Sequence, residues 1–263
     1  LGNGSFNVSN AGGTGAMTVS GVTSIGANAV TFNPTTGLLG LIGDVTGSGA
    51  INKTGAGTLI FAGGKSFTGA LTITNGGVQV THADSLGTID AGTTVVAGAV
   101  LDLNGVALGG EALTLNGTGV ANISPGSLWN SSSDAASHSG TVNLASNTAI
   151  GGLGSITLAG DVSGGGTLNK VGPGTLSLSG NNTFTAALTV SQGLLRLESA
   201  TALGGVGATT VNGGAVLDVN GMTIGEGLTL NGSGFANFGS MNTLGALPTV
   251  MRKIVEHGLD DGG

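Results

Sequence analysis

The feature that most constrains this chain is a long internal repeat. Gly43-Asp44-Val45 followed by GSGAINKTGAGTLIFAGGKSFTGALTITNGGVQV (Gly47 to Val80) returns as Gly160-Asp161-Val162 followed by GGGTLNKVGPGTLSLSGNNTFTAALTVSQGLLRL (Gly164 to Leu197). The offset is a constant 117 residues without a gap, and roughly half the positions are identical. Downstream the match continues with small slips: AVLDLNG (Ala99 to Gly105) pairs with AVLDVNG (Ala215 to Gly221), and GEALTLNGTGVANI (Gly110 to Ile123) with GEGLTLNGSGFANF (Gly225 to Phe238). Two blocks result, about residues 43–123 and 160–238. A solenoid has a physical reason to repeat so long a block, because each added turn buries the face of the one before it.

Within each block apolar residues alternate with polar ones, as in Leu71-Thr72-Ile73, Val78-Gln79-Val80, Leu101-Asp102-Leu103, Leu188-Thr189-Val190 and Leu228-Thr229-Leu230. Period 2 marks strands with one buried face. The strands are short and bounded by Gly, Asn and Ser. Six Asn-Gly pairs lie at strand ends: Asn75-Gly76, Asn104-Gly105, Asn116-Gly117, Asn212-Gly213, Asn220-Gly221 and Asn231-Gly232. Both residues tolerate positive φ, which suits a hairpin in an antiparallel sandwich or a sharp corner between sheets of a coil, where asparagines of adjacent turns could stack. The constant offset favours the coil.

Composition agrees. Glycine supplies 55 residues, too many for an α-helical fold, and aromatics are 3% with no tyrosine, so the core must be built from Val, Leu, Ile and Ala in narrow stacked layers. Charged side chains are 7% and the formal net charge is −7, with Lys53, Lys65, Lys170, Arg196, Arg252 and Lys253 scattered except for the last two. That excludes the basic stripe a nucleic-acid groove requires. Cysteine is absent, which removes disulfides and thiolate chemistry. No apolar run approaches the ~18 residues of a spanning helix. The chain opens at Leu1 without a Met or a basic-then-apolar leader, so an internal or mature segment with its export signal upstream is expected.

The motif G-x-G-x-[IL]-N-K-x-G-x-G-T-L-x-[FL]-x-G-x-x-[ST]-F-T-x-A-L-T-[IV]-x-x-G-x-[VL] runs over Gly47 to Val78 and again over Gly164 to Leu195. It resembles the passenger-associated transport repeat of autotransporters, the type V secreted proteins of Gram-negative bacteria. The resemblance implies a right-handed parallel β-helix over residues 1–245, exported and threaded through an outer-membrane translocator barrel to the cell surface. It further implies repeats that assist translocation and folding outside the cell, and a host-surface or glycan ligand for the passenger as a whole. The chain departs from that pattern in lacking a C-terminal barrel with aromatic girdles. Residues 246–263 also leave the repeat: after Pro248, Arg252 and Glu256 fall at i,i+4 beside Ile254, Val255 and Leu259, which fits a short capping helix or a disordered tail.

No catalytic, cofactor or metal site is expected. His82, His138 and His257 are isolated, without H-x-x-x-H or H-E-x-x-H spacing, and read as surface residues. Ser132, Asp134, His138 and Ser139 share the polar stretch SLWNSSSDAASHSG, which reads as a loop protruding between the blocks; the lesser alternative makes Trp129 a contact for a glycan or partner. Gly63-Gly64-Lys65-Ser66 ends like a phosphate-binding loop, but position 59 is Leu59, so a turn is expected. Asp44 and Asp161, Asp102 and Asp218, and Glu111 and Glu226 are repeat-equivalent, which suggests turn or surface positions rather than the acidic cleft of a polysaccharide-cleaving β-helix. The expected role is a non-catalytic structural and adhesive passenger segment. The alternatives are a polysaccharide-acting β-helix enzyme and a surface or biofilm matrix solenoid of another secretion route.

Overall fold

A computed structural model describes residues 6–10, 15–120, 124–205 and 207–231, with side chains from residue 15 onward. The tail 246–263, and with it Arg252, Glu256 and His257, lies outside the described residues. Every strand pairing among the described residues is parallel, and the one antiparallel contact is an isolated bridge, Val120 to Ser124. The antiparallel sandwich is therefore excluded. The described strands stack as a β-solenoid of about 11 turns, and among the described residues there is no helix long and apolar enough to cross a membrane.

The strands fall on three faces. One face carries Val30–Pro34, Ile51–Lys53, Leu71–Ile73, Thr93–Val95 and Leu113–Gly117, then the first half of the long strand Val142–Gly152. The second runs Ala16–Val19, Leu38–Leu41, Thr58–Phe61, Gly76–Val80, Ala99–Asp102 and Leu128–Asn130. It continues through the second half of Val142–Gly152 into Leu168–Val171, Leu188–Val190, Thr209–Val211 and Leu228–Leu230. The third holds short strands in two stretches, Thr23–Gly26 to Ser66–Phe67 and Ala107–Leu108 to Val216–Asp218. Register partners on the second face lie between 19 residues apart, as in Leu59↔Val78, and 27 apart, as in Leu101↔Leu128.

The alternation read from the sequence is the burial pattern. Ile51–Lys53, Leu71–Ile73, Leu113 to Leu115 and Leu188–Val190 each bury their first and third residues. Because the strands are parallel and in register, inward residues form columns. Leu39, Leu59, Val78, Leu101, Leu128 and Ile150 occupy successive turns of one such column and are all inaccessible to solvent. Each therefore packs mainly on the residue above and the residue below, the one-dimensional economy of a solenoid. Burial of side chains of this kind stabilises by about 1.5–3 kcal/mol each.

The 117-residue repeat does not span a whole number of turns. Ile51–Lys53 and Leu71–Ile73 stand on the first face, whereas their equivalents Leu168–Val171 and Leu188–Val190 stand on the second. Likewise Thr58–Phe61 on the second face corresponds to Thr175–Leu178 on the third. Each block is thus displaced by one face around the axis relative to the other.

Candidate functional site

The chemistry-bearing residues gather where the repeat motif turns its corners. In I-N-K and L-N-K, Lys53 and Lys170 occupy the inward third position of the strand and are 0% and 1% exposed. Lys53 stands in the interior column between Phe32 and Ile73, and Lys170 between Ile150 and Val190. Each ammonium is satisfied by three backbone carbonyls. Lys53 Nζ donates to the carbonyls of Thr54 (2.9 Å), Gly55 (2.9 Å) and Asn75 (2.8 Å). Lys170 Nζ donates to those of Val171 (3.0 Å), Gly172 (2.8 Å) and Gln192 (2.9 Å). Two acceptors lie on the lysine's own corner and the third on the corner one turn further on.

This arrangement accounts for the glycines of K-x-G-x-G. Gly55 and Gly172 have φ +75° and +73°, a backbone state that favours glycine, and their carbonyls are among the three the ammonium bonds. A Cβ on Gly55 would lie 2.4 Å from the carbonyl oxygen of Pro34 in the preceding turn, and one on Gly174 would lie 2.1 Å from that of Gly154. The motif phenylalanines are covered in the same repeated way: a Cβ on Gly87 would meet the Phe67 ring, and one on Gly204 the Phe184 ring. Burial pushes the Lys53 and Lys170 ammonium groups down to about 8. The carbonyl hydrogen bonds act in the opposite sense, because the charged form has three donors to offer.

Lys65 is enclosed differently. Its Nζ donates to the carbonyls of Ala62 (2.6 Å) and Gly63 (3.1 Å) and, more weakly, Gly64 (3.4 Å), all in its own bend, and it sits 5.9 Å from the centre of the Phe61 ring. Gly63-Gly64-Lys65-Ser66 is therefore the turn its sequence indicated, with the lysine folded onto carbonyl oxygens, the wrong polarity for phosphate. All three described lysines are held by backbone. The remaining described cation, Arg196, pairs with Glu198 (2.7 Å) and Asp218 (3.6 Å) on the surface.

Three readings from the sequence need correction. His138 is not a surface residue: it is 0% exposed, in an inward position of Ala136–His138 between Leu108 and Leu158. Neither ring nitrogen has a hydrogen bond, and burial drives its pKa down to about 4 against the nearby backbone of Glu111 and Thr141. Glu111 is likewise interior rather than a turn or surface group. Its Oε1 accepts from the Thr93 hydroxyl, its Oε2 is buried without a partner, and burial raises its pKa to about 7. The stretch around Trp129 is not a protruding loop, because Leu128–Asn130 and Ala136–His138 are strands of one regular turn. Trp129 is half-buried between Asp102 and Gly151 in register, and its ring reaches over Gly126 and Gly172 of nearby segments.

Other positions match their reading. His82 is exposed (52% of its side chain) and lies 3.7 Å from Asp84. Ser132 donates no proton to a histidine; its Oγ accepts from the Asp134 amide, while His138 points inward, so no triad is assembled. Asp102 and Asp218 each accept the amide of the asparagine two residues on, at 3.1 and 2.9 Å, and Asn104 and Asn220 both adopt φ +47°. These are repeated corner turns. Asp44 accepts from Ser66 N and Oγ, and Asp161 from Asn181 N, across turns. Two corner asparagines bond backbone of the neighbouring turn, Asn104 with Val80 and Asn116 with Val95, whereas Asn220 bonds the side chains of Arg196 and Glu198. Among the described residues no three His, Asp or Glu side chains converge as a metal site would require.

The passenger-associated-transport-repeat family model matches residues 51–80 and 168–197, a repeat found in autotransporter passenger domains. Each match starts on a strand that ends at or beside a caged lysine, runs through that lysine's corner and the phenylalanine, and closes on the strand of the next turn. No curated protein and no solved structure matches the chain.

Proposed function

We propose that this chain is a non-catalytic passenger segment of an autotransporter-type surface protein, a stiff solenoid that carries adhesive regions away from the cell, and that its two transport repeats aid outer-membrane translocation and extracellular folding. The observation that carries this reading is the coincidence of the two family matches with complete strand-corner-strand units of one continuous parallel ladder. Turns of such a ladder can form one at a time on an already folded end, each adding burial and backbone hydrogen bonds, so folding outside the cell would draw the chain outward. The partner the reading calls for is a translocator barrel, and the location is the cell exterior.

The non-catalytic part is supported by the way the potentially reactive groups are enclosed. Lys53 and Lys170 are bonded to backbone, and His138 and Glu111 face an aliphatic interior. The test is display. The chain, placed between a Sec signal and a translocator barrel in a Gram-negative host, should become accessible to added protease on intact cells, and removal of residues 51–80 and 168–197 should lower the displayed fraction several-fold. Unchanged display without the repeats would reject the translocation role. Release of oligosaccharides from a panel of bacterial and plant polysaccharides by the purified chain would reject the non-catalytic role.

A further inference from the structure

Three carbonyl oxygens at 2.8–3.0 Å around one nitrogen, shut off from water, are the surroundings of a bound monovalent cation. We propose that each transport repeat builds an internal cation site from backbone carbonyls, that its resident cation is the repeat's own lysine ammonium, and that filling the site locks the turn carrying the lysine onto the turn that follows. This rests on the reading of the repeats as folding elements and says which interaction they contribute.

Four observations converge. The two sites are equivalent atom for atom at the 117-residue offset, Lys53 with Thr54, Gly55 and Asn75 against Lys170 with Val171, Gly172 and Gln192. They do so on different faces of the solenoid, so the shared geometry belongs to the repeat and not to one location. Neither ammonium has a carboxylate partner, so what holds the charge is backbone alone. The third carbonyl comes from the next turn, 22 residues on, and cannot be reached until that turn is laid down. The last strands of each match follow that third carbonyl, Gly76–Val80 at once after Asn75 and Leu194–Leu197 with one residue intervening after Gln192. Lys65 supplies the contrast: its carbonyls are all local, so it caps a bend without joining turns.

The test uses the whole purified chain. Amine acylation at neutral pH, read by peptide mass spectrometry, should proceed at Lys53 and Lys170 about 100-fold or more slowly than in the same chain unfolded in urea, with Lys65 reacting faster than either, because only its own bend must open. Hydrogen exchange should then show that Lys53→Met raises exchange in 76–80, and Lys170→Met in 193–197, by about tenfold or more while leaving 38–41 unchanged. Lys170→Ala should regain part of that protection in ammonium chloride and none in tetramethylammonium chloride, which has no N–H to donate. Acylation of Lys53 or Lys170 at the unfolded rate, or a Met variant with undiminished protection, would overturn the proposal. The acylation measurement is made on the unaltered chain, so it decides the matter even where a variant does not fold. Slow acylation in a chain that is never displayed would sink the export reading alone; rapid acylation in a displayed chain would sink the lock alone.

Discussion

The interior of this protein is not uniformly aliphatic, and two buried ionisable groups without an ion-pair partner, His138 and Glu111, make opposite predictions. Folded His138 releases its proton near pH 4, whereas an unfolded histidine holds it up to about 6.5. Its contribution to stability is therefore complete above 6.5 and is lost as the pH falls towards 4. Folded Glu111 holds its proton up to about 7 against 4.5 when unfolded, so its contribution is complete below 4.5 and fades as the pH rises to 7. Replacing His138 by Leu, which its column neighbours Leu108 and Leu158 accommodate, should remove the acid-side loss: relative to the parent it gains about 2–3 kcal/mol between pH 7.5 and pH 4.5. Glu111→Gln should show the reverse, with its advantage over the parent growing from pH 4.5 to pH 8. Urea midpoints at the three pH values decide both, and an order of stabilities that stays fixed would contradict the burial of these groups. The glycines give an independent check. Gly174→Ala drives a methyl into the Gly154 carbonyl and should cost about 2 kcal/mol or more, while Gly165→Ala meets nothing within 4 Å and should be tolerated.

At the scale of strands and corners, what was legible in the sequence is what repeats with short period. The two-residue alternation located the strands and their inward faces, and Asn-Gly located corners: Asn104-Gly105 and Asn220-Gly221 carry positive φ at both residues, each turn closed by an aspartate two residues before the asparagine. Asn104→Gly should consequently be nearly neutral, while Asn104→Ala should cost about 1–2 kcal/mol, measured by thermal unfolding; equal losses would show that the side chain and not the backbone state matters there. The inward lysines, Glu111 and His138 were not legible, because alternation assigns a charged residue to the outside and cannot see acceptors supplied by another turn. Lys53 shares its face with Ile51, the one local sign, and the carbonyl of Asn75 that completes its shell lies 22 residues away. The polar stretch after Trp129 misled for a related reason: its serines and Asp134 form a corner whose bonds run to Asp102 and Asn130, partners that local polarity does not reveal.

For the molecule as a whole, the displacement of the second block by one face means that no surface of the solenoid repeats along a straight line, while the interior stays continuous from Leu39 to Val211. Continuity of that kind transmits disturbance only from neighbour to neighbour. A charge placed in the middle therefore tests whether the chain behaves as a stack of turns or as one indivisible core. Ile150 lies between Leu128 and Lys170 and is fully buried. Ile150→Asp buries a carboxylate beside Lys170, whose ammonium is already committed to three backbone carbonyls, and should cost about 3 kcal/mol or more locally. Hydrogen exchange should then rise most in Leu128–Asn130 and Leu168–Val171 and least in Leu38–Leu41 and Thr58–Phe61, five and four turns away along the same face. Trp129, the single tryptophan, is paired with Gly151 beside the altered residue, and its emission should move to longer wavelength before the distant turns lose protection. Loss of protection spread evenly over all turns would mean a single cooperative core, and stepwise folding from one end, on which the proposed outward transport rests, would lose its physical basis.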